Sequence, residues 1–434
     1  MSSIAEVRLW GSTIAAVVLE EDQLVASFQY DSDFAESGIE VSPLMMPLSK
    51  RVYSFPSLAQ QSFYGLPGLL ADSLPDRFGT SLINAWLARQ GRSPESFNAV
   101  ERLCYTGSRG MGALEYVPAT GPTATDQSSI YVEQLVGLAN EILSDRDNLR
   151  TSFSEDSAEA MANILRVGTS AGGARAKAVI AWNPNTNEVR SGQTTVADGF
   201  EHWLIKFDGI SNNRDKELAD PKGYGVIEYA YCKMAQDCGI DISDCRLFDE
   251  GGRRHFMTRR FDRIAGNEKI HMQSLAAMAH LDFNQAGAHG YEQAFDVMRR
   301  LDMSAVSTTE LFRRMVFNVI ARNQDDHVKN IAFLMDRGGR WTLAPAYDMI
   351  YSYQPSGRWT VIHQMTINGK QDHFSMQDFE QCGQVALLKR GQAKAIINDV
   401  LQVVSRWQDY ADEAGVRPAQ RDKIQDTLRL NTFE

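Results

Sequence analysis

The run Asn323-Gln324-Asp325-Asp326-His327-Val328-Lys329-Asn330, with Asp348 eighteen residues further on, holds the residue types best suited to chemistry. A carboxylate and an amide oxygen are hard ligands of the kind magnesium prefers. A further carboxylate can orient a hydroxyl and accept its proton. Together these are the parts of a phosphoryl-transfer site, where a divalent cation bridges an anionic phosphate to the protein. Asp325 takes the role of base because it lies five residues before Asn330, the spacing of a phosphoryl-transfer catalytic loop, whereas Asp326 lies four before it. Asn330 and Asp348 are then the metal ligands, and Asp326 and His327 brace the loop. A lone D-x-x-x-x-N pattern is better explained by helix capping; the hairpin pattern beyond Asn330 and the Asp348 at its exit favour chemistry.

Thr308 to Arg322 carries Leu311, Met315, Val316, Val319 and Ile320 on one stripe, which predicts a helix ending just before the loop. Ile331 to Met335 reads as a buried strand, Asp336-Arg337-Gly338-Gly339 as a turn, and Trp341 to Ala344 as the returning strand. Helix, polar loop, hairpin, Asp is the order of a protein-kinase large lobe.

A kinase also needs a phosphate cradle and a strand lysine. Val167 to Lys177 contains the small-residue loop Gly168-Thr169-Ser170-Ala171-Gly172-Gly173-Ala174-Arg175, between the apolar stretches Ile164–Val167 and Ala178–Trp182. Small residues let backbone N–H groups approach phosphate, but this is neither a Walker A nor a G-x-G-x-x-G pattern, and a tight hairpin explains it as well. Lys206 interrupts the apolar run Trp203 to Phe207. It either pairs with an anion or reaches solvent from an edge strand. Tyr224 to Gln236 has helical spacing and carries Glu228, either a partner for Lys206 or a solvated surface residue. Phe256-Met257-Thr258 reads as a strand. Arg259-Arg260-Phe261-Asp262-Arg263 would be the hinge between lobes, its charges read by default as a solvated run.

The chain has 434 residues, 43% of them hydrophobic, enough for two or three lobes with sizeable cores. Its net charge of −11 disfavours a general nucleic-acid surface. The five cysteines (Cys104, Cys232, Cys238, Cys245, Cys382) form no C-x-x-C pair and predict free buried thiols in a reducing cytoplasm. No stretch approaches the length of a membrane span, and no signal segment is expected.

The expected architecture is α+β and bilobal, with three divisions: 1–118, β-rich at first; 119–258, the nucleotide half of a small lobe; and 259–434, mainly helical. Ala5–Leu9, Ala15–Leu19 and Val25–Tyr30 read as strands, Leu69–Ala88 as a helix and Pro118–Ser128 as a linker. A helix over Val132–Leu143 leads into an acidic loop, Ser144–Ala158. A strand is expected near Val361–Ile367 and an amphipathic helix over Ala393–Trp407.

Several motifs occur together in one order. They are Gly65-Leu66-Pro67-Gly68-Leu69-Leu70-Ala71-Asp72-Ser73-Leu74-Pro75-Asp76, Tyr105-Thr106-Gly107, Gly110-Met111-Gly112-Ala113-Leu114, Gly172-Gly173-Ala174-Arg175-Ala176-Lys177, Arg260-Phe261-Asp262-Arg263, the Asp325 loop, Ala344-Pro345-Ala346-Tyr347-Asp348 and Asn368-Gly369-Lys370. As a set they resemble the HipA-family serine/threonine kinases, toxins of bacterial toxin–antitoxin pairs. The resemblance covers nearly the whole chain and implies a kinase-like fold. It implies that Lys206 holds ATP phosphates, with Gly172, Gly173, Ala174, Arg175, Phe261 and Glu228 completing the nucleotide site. Asp325 is implied as the catalytic Asp, and Asn330 and Asp348 as magnesium ligands. Ser170 falls where the family carries a self-phosphorylated serine that silences the kinase, and Thr169 is an adjacent hydroxyl. Arg259 departs from the pattern, since an acidic residue can precede Arg-Phe-Asp-Arg. The implied partners are a helix-turn-helix antitoxin of the HipB type, which alone would contact DNA, and a protein substrate such as an aminoacyl-tRNA synthetase. No membrane is involved. The alternatives are a catalytically weak co-repressor and a small-molecule kinase.

Overall fold

The computed structural model describes residues 2–122, 130–144, 163–165, 167–168, 175–193, 196–210, 222–264, 267–357 and 359–431. The first unit is an antiparallel sheet of β1 (Ser3–Leu9), β2 (Ser12–Leu19), β3 (Ser27–Tyr30) and β4 (Leu114–Val117), in the order β3-β2-β1-β4. Alternation along β1 buries Ala5, Val7 and Leu9. They join one apolar cluster with Phe312, Phe317 and Val400 of the helical lobe, so the N-terminal sheet shares a core with the C-terminal half.

The expected single helix over Leu69–Ala88 is two helices, Gly68–Ala71 and Arg77–Arg89. Pro75 breaks it, because proline lacks an N–H and disfavours helical geometry in the residue before it. Asp76 then caps the second helix, accepting the Gly79 N–H at 2.6 Å. That helix packs Phe78, Leu82 and Ala85 into the core of the neighbouring five-stranded sheet.

That sheet contains β5 (Lys177–Trp182), β6 (Val189–Ser191), β7 (Glu201–Lys206), β8 (Cys245–Glu250) and β9 (Arg253–Arg259), in the order β6-β5-β7-β9-β8. Every pairing in it is antiparallel. The helix Tyr224–Asp237 lies against it. Gly225 permits the close approach, since a Cβ there would sit 2.4 Å from the Arg254 carbonyl oxygen. Asn163–Leu165 is helical, at the start of the apolar stretch that precedes the small-residue loop. The helix Val132–Ser144 is present as expected, and the acidic segment beyond it lies outside the described residues.

The two-stranded ribbon β10 (Arg263–Ile264) and β11 (Glu268–Lys269) leads out of this sheet. After it, β12 (His271–Ser274) pairs with the hairpin of β13 (Ala332–Met335) and β14 (Trp341–Leu343), which forms as expected. Around them stand the helices Tyr291–Arg300, Ala305–Ile320, Met376–Val385, Gln392–Val404 and Trp407–Ala414. No strand forms near Val361–Ile367; Thr366 and Ile367 make only isolated bridges, to Gly290 and Lys370. A turn at Asn368-Gly369, both at positive φ, folds the segment back before a ladder can extend. The arrangement is the α+β, bilobal, kinase-like one that the sequence led us to expect.

The expectation of five free thiols needs correction. Cys232 and Cys245 are paired as a disulfide, while Cys104, Cys238 and Cys382 are free and buried. Spacing hid the pair, because the contact arises only when the helix Tyr224–Asp237 packs on β8. Among the described residues no helix is long and apolar enough to cross a membrane.

Candidate active site

The helix Ala305–Ile320 ends at Ala321, and Arg322 turns the chain at positive φ. Ser352 fixes the next turn: its hydroxyl oxygen accepts the N–H groups of Gln324 at 2.7 Å and Asp325 at 2.9 Å. The Asn330 Nδ2 donates to the Asp325 backbone carbonyl at 2.8 Å. That bond closes the loop and leaves Oδ1 as the end of the amide suited to a metal. Asn323 ties the loop to the hairpin exit, donating to the Asp348 carbonyl at 3.3 Å.

Asp325 and Asp326 have different environments. The Asp325 side chain is 44% exposed, with a His327 ring nitrogen 3.9 Å away. Asp326 is buried and accepts from Tyr291 Oη at 3.0 Å, the Gln364 N–H at 2.9 Å and His363 Nδ1 at 2.9 Å. Arg429, near the C-terminus, contacts the other nitrogen of His363 at 3.0 Å. Asp326 therefore braces the loop, as expected, while Asp325 faces outward and is accessible.

Asp348 stands at φ +54°, a strained backbone for a non-glycine residue. Its carboxylate meets the Lys206 ammonium at 2.5 Å, and the same ammonium contacts Glu228. Lys206 is 8% exposed and Glu228 2%, so the strand lysine is paired, not solvent-facing. Burial alone would lower the Lys206 pKa, but Asp348 and Glu228 raise it above the ordinary value. Burial likewise opposes the Asp348 carboxylate, yet Lys206 and Lys177 hold it well below the usual range. Arg175 reaches Glu228 at 3.6 Å. Phe261 lies beside Tyr347, with ring centroids 5.9 Å apart, next to Asp348 in the chain. Thr169, Ser170, Gly172, Gly173 and Ala174 lie outside the described residues.

The hinge charges are not a solvated run. Arg260 and Asp262 are buried, and Arg260 grips the carboxylate of Asp262 with bonds of 2.8 and 2.6 Å. Arg263 adds a contact at 2.7 Å, and the Gly112 N–H donates to the same carboxylate at 2.7 Å. Arg263 also donates to the Gly110 and Gly112 carbonyls. The cluster thus clamps the hinge to the N-terminal unit. Only Arg259, half exposed, behaves as a surface charge.

Sequence reasoning named no role for two charged residues here. Lys177 and Asp76 lie 3.5 Å apart with side chains 2% and 5% exposed. Burial pushes the Asp76 carboxyl up to about 6, against the pull of Lys177, and pushes the Lys177 ammonium down, against the pull of Asp76. Both residues stand inside motifs already noted, but nothing local in the sequence joins them.

Comparisons with known proteins agree with the fold. Residues 169–407 match the HipA-like C-terminal domain, and residues 5–117 match the HipA N-terminal domain. A protein named putative kinase from Haemophilus influenzae is 24% identical over 161 residues, 33% of this chain and 47% of that protein. Putative kinase Y4mE of Sinorhizobium fredii is 25% identical over 127 residues, 27% of this chain and 30% of that protein. The matches thus span less than half of these relatives' length. A chain of the Shewanella oneidensis toxin–antitoxin complex of HipA, HipB and operator DNA superposes with a TM-score of 0.65 at 15% identity, covering 97% of this chain and 94% of that one. At that identity the likeness speaks for the fold. With both domain models matched in order, and the C-terminal one covering more than half of the sequence, the chain belongs to the HipA family.

Proposed function

We propose that this chain is an ATP- and magnesium-dependent serine/threonine protein kinase, acting as the growth-inhibiting toxin of a toxin–antitoxin pair. The observation that carries the reading is the buried Lys206, held between Glu228 of a helix and Asp348 of the hairpin exit. A lysine so placed is charged and oriented for phosphate, and its helix glutamate keeps it there. The donor set suits magnesium: Asp348 supplies a carboxylate and Asn330 an amide oxygen, both hard ligands. Bound magnesium and ATP would supply charge neutralisation and the phosphoryl group. Asp325, on the outward side of the loop, orients the attacking hydroxyl and accepts its proton. Arg175 and Phe261 flank the nucleotide.

The family motif at Ser170 supports silencing by self-phosphorylation there, with Thr169 as its neighbour. Added charge of nearly two units beside a phosphate cradle opposes nucleotide binding. A HipB-type antitoxin is the proposed partner, carrying the DNA contact, because the chain's own charge of −11 opposes one. The protein substrate, of which an aminoacyl-tRNA synthetase is one case, and a cytoplasmic setting belong to the same proposal. So does the division into units 1–118, 119–258 and 259–434.

The test is incubation of purified protein with labelled ATP and magnesium, followed by mapping of the label. Phosphate at Ser170, lost in Asp325→Ala, is the expected outcome. Normal labelling of the Asp325→Ala protein contradicts the catalytic assignment. Growth arrest that does not require Asp348 would favour the co-repressor alternative.

A further inference from the structure

The register of β5 on β7 sets Lys177 directly opposite Lys206. Directly opposed residues of an antiparallel pair project from the same face about 5 Å apart at Cβ, and like charges so placed repel. Both lysines are buried, so water does little to screen them. Arg175 adds a third cation through its contact with Glu228. Three carboxylates face this group: Glu228 and Asp348 on Lys206, and Asp76 on Lys177. Two of the three come from the kinase-like lobes. Asp76 comes from the N-terminal unit.

Asp76 is held firmly. Its Oδ1 caps the helix Arg77–Arg89, and that helix is anchored by Phe78 and Leu82 in the core under β5. Its Oδ2 is buried and faces the Lys177 ammonium at 3.5 Å. Four residues earlier, Asp72 accepts the N–H and the hydroxyl of Ser274 at 2.6 and 2.8 Å, tying the same segment to the other lobe. Lys177 lies directly opposite Lys206, whose ammonium meets the Asp348 carboxylate. It thus stands between Asp76 and the pair that includes the residue assigned to the metal.

We infer that Asp76 is a positioning residue for the metal site: by engaging Lys177, it keeps that ammonium from competing with magnesium for Asp348. This rests on the kinase reading above. It gives the N-terminal unit a direct part in the chemistry, as the source of the third balancing carboxylate. With Asp76 neutralised, Lys177 loses its own carboxylate, and two ammonium groups and the magnesium are left with Glu228 and Asp348. Magnesium affinity then falls, while groups that act after the metal binds are untouched.

The experiment measures magnesium binding by the full-length chain with a non-hydrolysable ATP analogue, by calorimetry, alongside phosphate transfer against free magnesium at saturating ATP. The variants are Asp76→Asn, Asp76→Glu and the double change Asp76→Asn with Lys177→Met. Asp76→Asn is expected to need roughly tenfold more magnesium for half-maximal rate, the factor given by ~1.4 kcal/mol, with its maximal rate little changed. Asp76→Glu stays near wild type, and the double variant returns towards it. An unchanged magnesium requirement in Asp76→Asn, or a double variant as impaired as the single one, overturns the inference. A merely structural role lowers the maximal rate and leaves the magnesium requirement alone, which also overturns it. If Asp76→Asn does not fold, the double variant decides: a magnesium requirement above wild type refutes the proposal. A wild-type chain that transfers no phosphate at any magnesium concentration overturns the kinase reading itself, and the inference with it.

Discussion

Asp325 and Asp326 are adjacent carboxylates with opposite expected responses to removal. Asp326 is buried and accepts three hydrogen bonds, from Tyr291, His363 and Gln364. A hydrogen bond to a charged group contributes about 1.5–3 kcal/mol. The three share one carboxylate, so they are not additive. Truncating a buried charged partner costs roughly 3–5 kcal/mol, since the orphaned donors stay desolvated. We therefore expect Asp326→Ala to destabilise the chain by about 3–5 kcal/mol. The Asp325 side chain is 44% exposed, with a His327 ring nitrogen 3.9 Å away. Its removal should stay within about 0.5 kcal/mol of wild type, as for most surface changes. Urea denaturation followed by tryptophan fluorescence, on the same preparations used for phosphate transfer, makes the comparison. Asp325→Ala should be folded and inactive. If it is destabilised as much as Asp326→Ala, or if Asp326→Ala shifts stability by less than about 1 kcal/mol, the division of labour between brace and base is wrong.

Three further outcomes rest on the same structure. Asp262→Ala strands Arg260 and Arg263 in the hinge and should cost about 3–5 kcal/mol, read by denaturant midpoint; a wild-type midpoint contradicts the buried clamp. His271 is buried with neither ring nitrogen bonded, and burial lowers its pKa to about 4. The unfolded value is about 6.5, so its contribution is complete above that pH and is lost as pH falls towards 4, by roughly 3 kcal/mol. His271→Phe should flatten that part of the stability profile, and an acid limb identical to wild type refutes it. Ser170→Asp should weaken ATP binding by calorimetry, since it adds negative charge to the proposed phosphate loop; unchanged affinity counts against the silencing role.

The features legible in the sequence were local. The helix before Asp325, the β13–β14 hairpin and the strand bearing Lys206 arise from apolar spacing and turn residues within a few positions. The Lys206–Glu228 pair was readable as one of two alternatives because strand and helix come in kinase order, and the contact bears it out. The hidden features depend on partners distant in the chain. The hinge charges look solvated until Gly110 and Gly112 of the N-terminal unit supply their partners. The facing of Lys177 and Lys206 is a matter of strand register, and the meeting of Lys177 with Asp76 needs a helix to pack across that sheet. The Cys232–Cys245 pairing likewise needs a helix to dock on a strand. The break at Pro75 could have been read from the sequence, since proline there forbids one continuous helix.

The most direct measurement of the central claim is the structure of the chain bound to a non-hydrolysable ATP analogue and magnesium. The account predicts a cation held by Asn330 Oδ1 and the Asp348 carboxylate, phosphates at the Lys206 ammonium, and the Asp325 carboxylate facing the terminal phosphate. An analogue bound elsewhere, or a cation that touches neither Asn330 nor Asp348, would contradict it.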